Sequence, residues 1–345
     1  MGMHSMWPEL EPNPSAERTL GIRRQRDTKA RESARAPRPA GVPWSYSRRS
    51  AFERCPRQYY YEYYGAGVRT ARDEPEKASL RLLKGLSTRH ERVGELLHLG
   101  IATTLRKAQQ GRAMAPSRLE TWLRGMLQGD IAYSQKDPDG LAPPVERYPP
   151  ELLREFHYRQ PDAEALLAEA ETRLVEAVRA FASAPEFEPF RRAGATAGAL
   201  IEHHLRIPTL PVRVDGQMDL AYPDGAGHVT VVDWKLGAAD SNGDASLQLA
   251  AYALGAAGQY TILADHIRVV KAHLMTHEVV EYVINERTLG LARTRILQDV
   301  ERMNAMHRYG QEGIVAAFTP APSPRLCAQC PYQRICPAGR ELLHA

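Results

Sequence analysis

Four cysteines constrain the fold of this chain more than any other feature: Cys55 stands near the start, and Cys327, Cys330 and Cys336 form a C-x2-C-x5-C group near the end. The chain has no other cysteine. In a chain of this size without a secretory leader, such a set favours metal ligation over disulfides. A site using all four thiols must bring residue 55 against residues 327–336, so the two ends of the fold have to meet.

At 345 residues the chain is long enough for one large domain or two ordinary ones. Residues 1–40 are rich in Pro, Arg, Glu and Ser and poor in periodic apolar positions, which predicts a disordered tail. Arg23, Arg24, Arg26 and Lys29 make that tail locally basic, as a solvated segment or as a contact for a phosphate backbone. The net charge of +4 neither requires nor excludes a nucleic-acid partner, because local patches matter more than the sum. No apolar run is long enough to span a bilayer, and the N-terminus lacks an apolar leader core. The expectation is a cytoplasmic protein with no membrane partner.

From residue 41 to 345 the pattern reads as one domain. Ser47 is a plausible N-cap for a helix running through Cys55 toward Tyr64. Residues 85–108 predict a second helix with Val93, Leu96, Leu97 and Ile101 on its apolar face, and another is expected around 119–131. The Pro-rich stretch 137–150 reads as a loop. Leu167, Leu174, Val178 and Phe181 mark one face of a long amphipathic helix, so 100–195 reads as a helical insertion. Strands are expected at 199–207, 212–222 and 228–236, then a helix from about 246 to 255. Strands at 266–275 and 278–284 and a helix at 286–308 follow. This order predicts an α/β fold with a mixed sheet flanked by helices.

Two carboxylates and a lysine stand out on the strands. Asp233 and Lys235 are two apart, which places both on one face, while Val232 and Trp234 point into the core. A hairpin would bring Asp219 alongside Asp233, and two such carboxylates repel unless a cation lies between them. Oxygen ligands of this kind suit Mg2+ or Mn2+. A solvated strand edge with a surface ion pair is the plainer reading of the spacing alone. On the next helix Gln248 and Tyr252 stand at i and i+4 and share a face.

In chain order, Gly216-Gln217-Met218-Asp219, Asp233-Trp234-Lys235 and Gln248…Tyr252 form G-x-x-D, D-x-K and Q-x-x-x-Y. That series resembles the PD-(D/E)XK nuclease superfamily, in particular the RecB-like branch that includes the CRISPR-associated iron–sulfur exonucleases. Gly94-Glu95-Leu96-Leu97-His98 is similar to the branch's G-x-x-x-H element. The resemblance implies a restriction-endonuclease-like core and a Mg2+- or Mn2+-dependent phosphodiesterase. It implies metal ligation by His98, Asp219 and Asp233 and a catalytic role for Lys235. Gln248 and Tyr252 would position the substrate phosphate or brace the site. One departure is Gln217, where G-R-I-D-type sequences carry arginine; its loss would alter nearby DNA contacts. Glu202 lies on the preceding strand, where the branch often has an acid, although a solvated strand-end acid fits equally well.

The segments Ser45…Cys55-Pro56-Arg57-Gln58-Tyr59-Tyr60 and Cys327-Ala328-Gln329-Cys330-Pro331…Cys336-Pro337 resemble the opening and ending of the branch's iron–sulfur members. By that resemblance Cys55, Cys327, Cys330 and Cys336 hold a [4Fe–4S] cluster that clamps the two ends. A structural Zn2+ on four thiolates is the chemical alternative. The run Tyr59–Tyr64 could stack bases or fill core, and Arg48, Arg49, Arg54 and Arg57 could track phosphates or solubilise the surface. The implied substrate is DNA, as single strands or ends, in repair, CRISPR adaptation or phage defence. There is no G-x-x-x-x-G-K-[ST] phosphate loop, so unwinding would fall to a helicase or another protein of a defence complex. The rival readings are a non-catalytic DNA-binding scaffold and an RNA-directed nuclease.

Overall fold

The computed structural model describes residues 41–67, 75–141, 150–237 and 245–344. The expectations for the tail 1–40 and for most of the 137–150 loop lie outside the described residues.

Helix α1 is Tyr46–Arg54, and its N-cap is Ser45 rather than Ser47: the Ser45 hydroxyl accepts from the Arg48 N–H at 3.1 Å. The single helix expected to reach Tyr64 is broken at Cys55. Pro56 lacks an N–H and disfavours helical geometry in the residue before it. Cys55 is accordingly extended (φ −161°, ψ 108°), and α2 restarts at Pro56–Tyr60. A π-helical turn, Tyr61–Gly65, follows directly. Five helices and a short turn come next: α3 Pro75–Lys84, α4 Arg89–Gln109, α5 Pro116–Lys136, the turn α6 Arg154–His157, α7 Ala163–Ser183 and α8 Glu188–Gly194. The start of α4 is fixed by a capping box, in which Thr88 and Glu91 satisfy each other's backbone N–H groups.

The sheet is built from β1 Leu200–His204, β2 Gln217–Pro223, β3 Val229–Lys235, β4 Ile267–His273 and β5 Glu278–Tyr282, in that spatial order. β3 and β4 are parallel, joined through helix α9 (Ala245–Tyr260); the other neighbours are antiparallel. The expected strands 199–207 and 212–222 are shortened at their facing ends. Pro208 and Pro211 have no N–H for a ladder, so the chain leaves the sheet between them and Gly216. Val214 there bridges Trp44 instead, with Trp44 N–H donating to the Arg213 carbonyl at 2.8 Å. After β5 come α10 (Glu286–Gln311), α11 (Pro324–Ala328) and α12 (Pro337–His344).

Both faces of the sheet are covered. Val229, Val231 and Val269 pack with Leu249, Leu254, Leu289 and Ile296 of α9 and α10. On the other face Leu220, Val232, Trp234 and Val270 pack with residues of α4, α5 and α7, so the helices of the 100–195 stretch share one core with the sheet. Each face-to-helix contact hides apolar surface at about 25 cal/mol per Å². Trp234 anchors this side. Phe181, Phe187 and Phe190 meet its ring edge-on, with centroids at 5.5, 6.1 and 5.8 Å. Trp234→Ala should cost about 3–5 kcal/mol, read as a lower urea midpoint at unchanged slope. A loss below about 1 kcal/mol would show that this face does not hold the sheet.

Candidate functional site

The candidate site lies at the end of β3. Asp233 is 1 % exposed, and its Oδ2 lies 2.7 Å from Lys235 Nζ, whose side chain is 34 % exposed. One residue beyond the last β2–β3 ladder pair, Leu220 with Val232, Asp219 comes to the same place. Its Oδ2 accepts the Trp234 N–H at 2.8 Å, so the backbone of β3 fixes the carboxylate. His98, in the third turn of α4, meets Asp219, Nδ1 to Oδ1 at 3.2 Å. Glu202 of β1 completes the group, its Oε1 3.8 Å from the same ring nitrogen. Among the described residues, only His98, Glu202 and Asp219 bring three metal-type donor atoms within 4.8 Å of one another.

The structure brings His98 and Asp219 together, and holds Asp233 beside them in its pair with Lys235 rather than in the tight triad. Gln248 and Tyr252 do share one face of α9, with Gln248 Nε2 donating to the Tyr252 hydroxyl at 2.8 Å. Glu202, for which the residue pattern fits a solvated strand-end acid equally well, joins this group in the structure. Its backbone is left-handed (φ +49°), an uncommon state for a residue with a Cβ, worth about 1–3 kcal/mol of strain. The β1–β2 ladder pairs Ile201 with Leu220 and His203 with Met218 but skips Glu202.

Electrostatics are consistent with a cation at this place. Burial pushes the Asp233 carboxyl up and the Asp219 charge pushes it further, against the pull of Lys235. Burial also raises Glu202. Burial alone would lower His98, but the carboxylates of Asp219 and Glu202 outweigh it and hold the ring well above 6.5. For Lys235 the Asp233 charge likewise outweighs burial. Tyr252 is raised far above its usual value, by burial first and then by Asp219 and Asp233, so its phenol stays neutral. The carboxylate oxygens suit a hard divalent ion such as Mg2+ or Mn2+, and a divalent ion would relieve the repulsion between these acids.

A pH dependence follows with a definite sign. A protonated imidazole cannot ligate, so a metal held by His98 would have to displace its proton. Affinity for Mn2+ should therefore rise by up to about tenfold per pH unit and level off only above the raised His98 value. Calorimetry in two buffers of different ionisation heat should count about one proton released at neutral pH. Binding that releases no proton and ignores pH would contradict His98 ligation.

The cysteines lie around a second place. Cys55, Cys327, Cys330 and Cys336 line one solvent-open recess of about 420 Å³. The α1–α2 break puts Cys55 Sγ within 3.5 Å of the Ala321 N–H, which donates to it. Burial pushes the Cys330 thiol up to about 12, and the other three sulfurs push the same way. The C-terminal segment is fastened around the recess. Arg57 Nε donates to the Phe318 carbonyl at 2.8 Å, the Tyr158 hydroxyl donates to the Pro331 carbonyl at 2.6 Å, and Arg154 bonds the Gln329 carbonyl.

In the tyrosine run Tyr59 and Tyr61 are core, and Tyr60, Tyr63 and Tyr64 are half-buried. Tyr59 is fully buried against Phe52, Tyr63 and Tyr64, Tyr60 packs on Phe318, and Tyr61 packs on Tyr332. Three of the neighbouring arginines are also engaged: Arg49 with Glu53 and Asp299, Arg48 with the Pro43 carbonyl and the Tyr63 ring, and Arg57 with Phe318.

A family model described as the PD-(D/E)XK nuclease superfamily matches residues 43–337. The chain belongs to that superfamily. Its members are nucleases that use divalent metal ions, and the mixed sheet flanked by helices is the restriction-endonuclease-like arrangement expected of them. No curated protein matches the chain. Among solved structures, SSO0001 is similar over 54 % of this chain and 81 % of its own, at 14 % identity and a TM-score of 0.27. A likeness that slight carries no argument. Among the described residues no helix is long and apolar enough to cross a membrane.

Proposed function

We propose that this superfamily member is a metal-dependent DNA nuclease of the RecB-like kind, acting as an exonuclease on single-stranded ends. The observation that carries the proposal is the convergence of His98, Asp219, Glu202, Asp233 and Lys235 at one end of the sheet. His98 and Asp219, with Asp233 and Glu202 adjacent, would hold Mg2+ or Mn2+. Such an ion polarises the phosphodiester and lowers the pKa of bound water. Lys235 keeps its proton and stands where it can orient the attacking water or balance charge building on phosphate oxygens. Tyr252, neutral and tied to Gln248, offers a hydrogen-bond donor to the same phosphate. A decayed, purely DNA-gripping relative would be expected to lose part of this set. Here it is whole, which favours catalysis over a scaffold role. A helicase or defence-complex partner, acting in repair, CRISPR adaptation or phage defence, would supply the unwinding.

For the recess we propose a structural [4Fe–4S] cluster. All four cysteines line one recess, one from the N-terminal helices and three from the C-terminal segment, a one-plus-three pattern that suits a thiolate-ligated cluster, whereas zinc ribbons usually bring two paired C-x-x-C knuckles. Protein purified without oxygen should be brown and contain about four iron atoms, whereas colourless protein with one zinc would contradict the cluster.

The substrate is tested with DNA single strands, DNA duplex and RNA of one sequence, each labelled at either end in turn. Stepwise loss from one end of the DNA single strand is expected. Internal cuts would replace the exonuclease reading, and preference for RNA would replace the DNA reading.

A further inference from the structure

We propose that Gln217 is a positioning residue for metal binding, acting through Glu202. This rests on the reading of His98 and Asp219 as metal ligands. Gln217 Nε2 donates to Glu202 Oε2 at 2.7 Å. The other carboxylate oxygen, Oε1, is the one turned to His98. Gln217 thus occupies one oxygen and leaves its twin facing the donor group.

Why Glu202 needs holding is visible in its backbone. The left-handed residue drops out of the β1–β2 ladder opposite Asp219, which frees its side chain to swing toward α4. Arg106 of α4 steadies the same kink from the helix side, with its Nη2 donating to the Ile201 carbonyl at 3.0 Å. A conformation this sparsely populated persists only when its surroundings over-determine it. Gln217 on one side and Arg106 on the other supply that constraint.

The chemistry of the donor matters as well. A neutral amide fixes the carboxylate without adding a positive charge of its own, so it does not compete with a cation for Glu202. A guanidinium at the same place, as in G-R-I-D-type sequences, would compete with the metal for that charge. The glutamine side chain is thus engaged by a neighbouring acid within the protein.

The test is Mn2+ affinity, by calorimetry on full-length protein without DNA, so that turnover plays no part. Gln217→Met keeps the volume and removes the donor. It should weaken Mn2+ by roughly the 10–100-fold associated with residues that orient metal ligands, in protein that still folds with a cooperative melting transition. In a Glu202→Ala background the same change should have no further effect, because its only route is gone. Unchanged affinity in Gln217→Met, or an equal loss in the Glu202→Ala background, overturns the proposal. Asp219→Ala is the control for the site itself: if it binds Mn2+ as the unaltered protein does, the metal reading fails first, and this inference falls with it.

Discussion

Lys235→Ala should cut DNA cleavage by roughly 10²–10⁴-fold, the range found for positioned proton-transfer groups, while Mn2+ still binds. The lysine touches Asp233 at 2.7 Å, yet it is the member of the pair that reaches solvent. Losing it has a second consequence. Asp233 is left buried with its Lys235 partner gone, and breaking one side of a buried pair costs roughly 3–5 kcal/mol, here toward the low end because the ammonium is partly hydrated. Metal-free Lys235→Ala should therefore melt earlier than the unaltered protein, and Mn2+ should restore much of the loss. Asp233→Ala behaves oppositely: it removes both a ligand and a source of repulsion, so it should lose activity without a comparable loss of metal-free stability. Single-turnover rates and melting with and without Mn2+ check the pair. Full activity in either purified variant would remove these residues from the chemistry.

Cys55→Ser should release the far end of the chain. Only Cys55 comes from the N-terminal helices, and the other three sulfurs lie on the segment from α11 to the start of α12. A cross-link closing so long a loop removes on the order of 5 kcal/mol of unfolded-chain entropy. The remaining fasteners, such as Tyr158 to Pro331 and the Tyr61–Tyr332 ring contact at 5.3 Å, are hydrogen bonds and packing, each a small fraction of that. Iron should fall and limited proteolysis should open at residues 315–344, remote in sequence from the substitution. Unchanged iron content with a protected C-terminus would show that Cys55 is not part of the clamp.

The strand that carries Asp233 and Lys235 is legible in the sequence because its pattern is local. Asp233 and Lys235 share a face by the two-residue period of a strand, and Val231, Val232 and Trp234 declare a central strand buried on both sides. Gln248 and Tyr252 were equally plain from helical spacing. Glu202 was less so. Its part in the group depends on a left-handed backbone that no side-chain pattern announces. The partner of Gln217 was hidden for the same reason, since the departure from arginine was visible but the acid it serves was not. The break at Cys55 was signalled by Pro56, yet the aromatic run beyond it read as one helix because α2 and the π-helical turn continue with helical spacing. Those tyrosines face several directions because Phe318 and Tyr332, far along the chain, pack among them.

Metal-dependent cleavage by purified full-length protein is the most direct measurement of what this site does. End-labelled single-stranded DNA should lose its label with Mg2+ or Mn2+ and keep it in chelator. Asp219→Ala, folded as judged by its melting curve, should leave the label in place under every condition. Cleavage that survives chelation, or an equal metal-dependent rate from Asp219→Ala, would contradict a nuclease centre built on His98, Asp219, Asp233 and Lys235.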